Sequence, residues 1–293
     1  MKLYMFLVSM FNWALGYCYK PVVIVHGVMS EADHLEDMKQ MIEKHHPGTN
    51  VTLVHLYPDI ESFTPLQRQL KYWKQKIEPL MKEAIDGIHF ICHSQGGLIC
   101  QGLIEETEKH NVHTFIALSS PLNGQFGVPK FVSSYIPWLK GEREKLSGFM
   151  YSTFTQDTFA ISNYWKDPRE EYYESYLDES RYLPILHNNP QSPRADDMAK
   201  RKKNFLELKK LVLIGGPDDG VITPWQSSLY GFYDEEYKIQ DMKQQKLYQE
   251  DWFGLRTLFE RGDVVMSSIL GVKHIEWHGN QNVFKSFIEP WLI

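Results

Sequence analysis

Short runs of β-branched apolar residues alternate along the first part of this chain with stretches in which apolar positions recur at intervals of three and four. The first run, VVIVHG, ends at Gly27 and has the composition and length of a strand buried on both faces. Leu35, Met38 and Met41 or Ile42 then mark one face of a helix that His45-His46-Pro47-Gly48 stops. A second strand is expected from Val51 to Leu56. A second helix follows over Leu66, Leu70, Trp73, Ile77 and Leu80, kinked or split at Pro79. Ile88 to Cys92 reads as a third strand, Gln95 to about Lys109 as a helix, and Val112 to Leu118 as a fourth strand. Strands alternating with helices predict an α/β protein with a parallel sheet covered on both faces.

The alternation lapses over about residues 122–206 and resumes with KLVLIGG at Lys210 to Gly216. A structureless loop of that length is uncommon in a compact domain, and the interval is dense in aromatic residues. It predicts a helical lid inserted into a single domain over 17–293. The apolar and charged fractions, 43% and 23%, exclude a largely disordered, collagenous or coiled-coil protein. A net charge of -6 gives no reason to expect a nucleic-acid partner, and the basic run Lys200 to Lys203 reads as a solvated helix start.

MKLYMFLVSMFNWALG has a cation at Lys2, an apolar run and small residues Ala14 and Gly16, which predicts a secretory leader cleaved near residue 16. The run is shorter than the ~20 residues of a spanning helix, and Asn12 interrupts it. No later segment reads as transmembrane, so a soluble protein of the secretory route is expected. Cys18, Cys92 and Cys100 allow at most one bridge and one odd thiol. Asn50-Val51-Thr52 is the one glycosylation sequon.

The chemistry concentrates in IHFICHSQGG. A strand running into Ser94, then glycines and a helix, is the setting in which G-x-S-x-G forms the nucleophile elbow of α/β-hydrolases; here Cys92 replaces the first glycine. Taken alone, such a serine is as readily a helix cap. A serine nucleophile also needs a base and an orienting carboxylate, which this fold supplies in the order Ser, Asp, His. In PDDGVITP either Asp218 or Asp219 could be a turn residue; Asp219, directly before Gly220-Val221-Ile222, is chosen as the acid. In GVKHIEWHGN, His274 is chosen as the base because it directly follows the apolar run ILGV, with His278 a surface or structural histidine. HIEWH lacks the glutamate that HExxH zinc sites need after the first histidine, so neither metal nor cofactor is expected. Oxyanion donors should be the backbone N–H of Gln95 and one from the turn His26-Gly27-Val28-Met29, for which Val28 is chosen; His26 should shape that turn.

VVIVHGVMSE, CHSQGG, Asn163-Tyr164-Trp165-Lys166-Asp167-Pro168, GGPDDGVITPWQSS and Ile288-Glu289-Pro290-Trp291 together resemble the palmitoyl-protein thioesterases from about Pro21 onwards, nearest their lysosomal palmitoyl-protein thioesterase 2 branch. The resemblance implies an α/β-hydrolase that cleaves long-chain acyl thioesters in the lysosome, with acyl-coenzyme A preferred over acyl proteins, and with Ser94, Asp219 and His274 at the triad positions. It implies that Cys92 and Cys100 are a pair that can bridge; two buried thiols are the alternative, and geometry decides. The branch has lid and C-terminal cysteines where this chain has Met150 or its neighbours, Ser162, Ser267 and Phe287, so two bridges are missing. A lipase or carboxylesterase, or a non-catalytic acyl-lipid carrier, are the rival readings.

Overall fold

Val22–Val25, four apolar residues all buried, form β1. It is the first of six parallel strands in a computed structural model that describes residues 19–128 and 143–293. The expected leader, Cys18 and part of the expected lid lie outside the described residues. Around β1 the chain lays down α1 (Glu36–His45), β2 (Val51–Leu53), α2 (Leu66–Glu83), β3 (Ile88–His93), α3 (Gln95–Glu106), β4 (Val112–Leu118) and β5 (Lys210–Gly215). A two-residue hairpin, β6 (Phe232–Tyr233) and β7 (Ile239–Gln240), stands apart, and β8 (Val264–Ser268) closes the main sheet. The order across that sheet is β2-β1-β3-β4-β5-β8, the α/β-hydrolase arrangement the sequence pattern anticipates.

Side chains of each strand alternate between two cores, as the two-residue period requires. Val23, Val25, Phe90, Cys92, Phe115, Ala117, Leu211 and Leu213 face α2, α3 and the helices that follow β4. Val22, Ile24, Ile91, Ile116, Leu118, Val212 and Ile214 face α1 and the C-terminal segment around Trp277, Phe284 and Ile288. Both faces are therefore covered, which explains why the strands read as predominantly apolar runs. The pairing sets Val25 beside Cys92, His93 beside Leu118 and Leu118 beside Ile214. The carboxyl ends of the central strands thus share one rim.

Between β4 and β5 run short helices, Ser147–Met150, Thr153–Thr158, Ala160–Asn163, Tyr173–Glu179, Leu183–Leu186 and Met198–Phe205. Their apolar residues, among them Trp165, Tyr176, Leu183 and Phe205, join the α2–α3 core. Ser162 Oγ lies 3.6 Å from Met150 Sδ, so two positions that the resemblance marks as half-cystine sites are adjacent.

Three local expectations need correction. Pro79 does not split α2, which continues to Glu83; the proline removes one bond near the helix end, where the freed Gln75 carbonyl belongs to an exposed residue. The second strand ends at Leu53, not Leu56, where its pairing with β1 stops at Ile24 beside Leu53. Arg201 is not solvated: it is buried and ion-paired at 2.9 Å with both Glu105 and Glu106.

Candidate active site

Ser94 occupies the single residue between β3 and α3, at φ 55° and ψ -129°. A residue with a Cβ holds such a conformation at a cost of ~1–3 kcal/mol, so the surroundings must enforce it. They do so by close approach of two chain segments. A Cβ on Gly96 would fall 2.6 Å from the His26 carbonyl oxygen, and one on Gly27 would fall 2.6 Å from Ser94 Cβ. Only glycine at these two positions lets the first strand's turn lie against the elbow. Cys92 fits where the motif has a glycine because its side chain turns into the α2–α3 core and bridges to Cys100, with the two Cα atoms 6.5 Å apart.

Asp219 lies in the loop after β5 and is buried. Its Oδ1 accepts from the backbone N–H of Val221 at 3.0 Å and of Ile222 at 2.8 Å. Its Oδ2 accepts from His274 Nδ1 at 2.8 Å, Trp277 Nε1 at 2.8 Å and Ser119 Oγ at 2.5 Å. Burial alone would raise this carboxyl. The hydrogen bond and charge of His274, with the Ile222 N–H and the Ser119 hydroxyl, outweigh it and hold the group well below the usual carboxylate range. The neighbouring Asp218 plays a different part, accepting from the Gly271 N–H at 2.7 Å through its Oδ2 and so steadying the loop that carries the histidine.

His274 is buried, and its backbone N–H donates to the Asp219 carbonyl at 2.9 Å. With Nδ1–H donating to a carboxylate, Nε2 is the bare nitrogen, and it sits 2.9 Å from Ser94 Oγ. Three residues separated by 125 and 55 positions in the chain are thus joined in one hydrogen-bonded line. Ser94 and His274 open on a cavity of about 370 Å³ whose walls include Val28, Met29, Val221 and Ile275.

The remaining residues singled out from sequence fall as follows. Val28 is half-buried and lines the same cavity. Gln95 is the first residue of α3, where a backbone N–H has no acceptor within the helix. Its side chain donates to the Ser62 carbonyl at 2.9 Å, while Ser62 Oγ accepts from the Met29 N–H at 2.7 Å. Ser62 therefore ties the first turn to the residue after the nucleophile. His26 places Nδ1 2.9 Å from the Gly27 carbonyl and Nε2 2.8 Å from that of Leu56, shaping the turn. Asn50 is exposed just before β2. His278 is half-buried and lines the cavity beside His274, closer to the chemistry than a surface histidine would be. Sequence reasoning missed Trp277, Ser119 and Ser62. A tryptophan one residue before the second histidine of HIEWH was the one available signal; the two serines carried none.

Comparison with known proteins gives the same picture. A sequence model of the family described as palmitoyl protein thioesterase matches residues 21–274. Lysosomal thioesterase PPT2-B of Xenopus laevis is 45% identical over 94% of this chain and 93% of its own. Lysosomal thioesterase PPT2 of Homo sapiens is 42% identical over 94% and 88%, and the PPT2 homolog of Drosophila melanogaster 34% over 95% and 94%. Crystal structures of the Bacillus licheniformis lipase BlEst2 in mature and propeptide form superpose with TM-scores of 0.50 and 0.51, at 14% and 15% identity, over 94% of this chain and 94% and 51% of theirs. That second likeness bears on the fold alone. By sequence the chain belongs to the palmitoyl protein thioesterase family, and its fold is that of the α/β-hydrolases.

Proposed function

We propose that this protein hydrolyses long-chain fatty acyl thioesters, acyl-coenzyme A among them, through an acyl-Ser94 intermediate, and does so in the lysosomal lumen. One observation carries the reading: the Ser94–His274–Asp219 line, with hydrogen bonds of 2.9 and 2.8 Å, at a strained strand-to-helix turn. His274 Nε2 takes the Ser94 proton as Oγ attacks the thioester carbonyl, and Asp219 fixes the imidazole's tautomer and stabilises its charged form. The backbone N–H groups of Val28 and Gln95 receive the oxyanion. Collapse breaks the C–S bond. A thiol pKa of ~8.5 makes the sulfur a good leaving group, and His274 returns the proton to it. Water then enters, gives its proton to His274 and releases the fatty acid, restoring Ser94. No step calls for a metal or cofactor.

Substrate binding draws on the acyl chain, where ~0.8 kcal/mol per buried CH₂ gives about 11 kcal/mol gross for fourteen methylenes, before ordering costs. Val28, Met29, Val221 and Ile275 supply apolar wall next to Ser94, and the segment 122–206 acts as the lid over the rest. The lysosomal placement is supported by the relatives' designation, and the exposed Asn50 sequon serves as the glycosylation site. Among the described residues no helix is long and apolar enough to cross a membrane.

The test is initial rates on palmitoyl-coenzyme A, an S-palmitoyl peptide and a matched palmitoyl oxygen ester. Both thioesters should turn over faster than the oxygen ester, with acyl-coenzyme A ahead of the peptide. A preference for the oxygen ester would overturn the thioesterase assignment in favour of a lipase.

A further inference from the structure

The cycle above gives no role to His93, one of the histidines that line the cavity. His93, the last residue of β3, immediately precedes the nucleophile and is 6% exposed. Its Nε2 lies 3.0 Å from the main-chain carbonyl oxygen of His274. A carbonyl only accepts, so Nε2 carries the proton and donates it. Nδ1 is then the bare nitrogen, and it is buried with no hydrogen-bond partner among the described residues. The His93 ring stands 4.8 Å from that of His274 and 5.4 Å, edge-on, from that of His278. Burial first, and then the charges of His274 and His278, push its protonation well below the ordinary histidine range, which leaves the single-donor form this contact requires.

His274 sits in a single 3-10 turn, His274–Glu276, of which Ile275 and Glu276 are exposed, as is Lys273 just before it. Its backbone is held at two points. The N–H is pinned by the Asp219 carbonyl, and the C=O by His93. We infer that His93 is a positioning residue for the reaction proposed above: its N–H anchors the turn that carries the base, tying it to the strand that carries the nucleophile. The inference rests on the acyl-Ser94 reading. It matters because a catalytic group displaced by ~1 Å costs about 10²-fold in rate.

The closing experiment compares His93→Gln with His93→Met in the full chain. The two side chains are close in shape and differ in whether they donate; His93→Phe is a second non-donor should the methionine variant fail to fold. Each is assayed on palmitoyl-coenzyme A, with kcat expressed per site titrated by a fluorophosphonate, and with far-UV circular dichroism and the melting midpoint recorded. The non-donor variant should remain folded, lose about 10- to 100-fold in kcat and hold KM within about twofold. The glutamine variant should recover most of that loss. A non-donor variant with kcat within about twofold of the parent, or a folded glutamine variant as slow as the non-donor, would overturn the assignment. Ser94→Ala runs alongside: if it keeps activity, the acyl-serine reading has failed, whereas an inactive Ser94→Ala beside a fast His93→Met removes His93 alone.

Discussion

At the scale of residues, the load on Asp219 stands out. Its two oxygens accept from Val221, Ile222, His274, Ser119 and Trp277 together, a set that only an acceptor can satisfy. An amide would turn N–H groups towards some of those donors and reverse the imidazole tautomer, leaving Nε2 unable to accept the Ser94 proton. Asp219→Asn is therefore expected to fold and to lose about 10⁴-fold in kcat, read from single-turnover rates. The pH dependence follows from the same contacts. The carboxyl ionises below its unfolded value of ~3.9, so its contribution to stability is complete above that pH and is lost only as pH falls through the lower folded value. Acid loss of activity above about pH 4 must then come from another group. Ser94, Asp219 and His274 were legible because spacing and chain order constrain a triad strongly. Ser119, which holds φ 45° to reach Asp219, was not, since nothing in a serine's neighbours announces a left-handed backbone.

Among the elements, the junction of β3 and α3 does most to define the site. The strand delivers Ser94 to the rim, and the helix begins at the next residue, so no slack separates them. The Cys92–Cys100 bridge clamps this turn from inside, joining the strand's end to the helix's second turn across eight positions. In the chain-entropy view a loop so short is worth about 2.5 kcal/mol. Cys92→Ala with Cys100→Ala should lower unfolding free energy by that order in urea titration, and an unchanged midpoint would show that the bridge adds nothing. Strands buried on both faces were visible as apolar runs, because each of their residues meets a core. β8 was not: it lies at the sheet edge with Met266 and Ser268 exposed. The apolar run ILGV beyond it, read as the approach to His274, is loop. Edge position weakens the signal that burial writes into composition.

The whole molecule depends on how the segment between β4 and β5 is fastened to the sheet. Part of that joint is apolar, but one contact is ionic. Arg201, from helix Met198–Phe205, reaches Glu105 and Glu106 at the end of α3, with Glu105 fully buried. Such a pair adds little against an apolar substitute, yet removing one partner leaves a buried polar group without its counterpart, at about 3–5 kcal/mol. Arg201→Met should cost that much by chemical denaturation, and adding Glu105→Gln should return a large share; additive losses would mean that the two do not act as a pair. The basic run at Lys200 to Lys203 looked like solvated surface because composition shows charge and hides its partners.

At this scale the fold exists to bring one hydroxyl, one imidazole and one carboxylate to a common rim, and the most direct measurement asks whether they act as a unit. The protein is treated with an alkyl fluorophosphonate, the modified residue is located by peptide mass mapping, and residual palmitoyl-coenzyme A hydrolysis is followed for the parent, Ser94→Ala and His274→Ala chains. A working triad predicts a single adduct on Ser94, loss of turnover in step with labelling, and labelling slowed by about 10³-fold or more without His274. An adduct on any other residue, or turnover that persists with Ser94 fully modified, would contradict it.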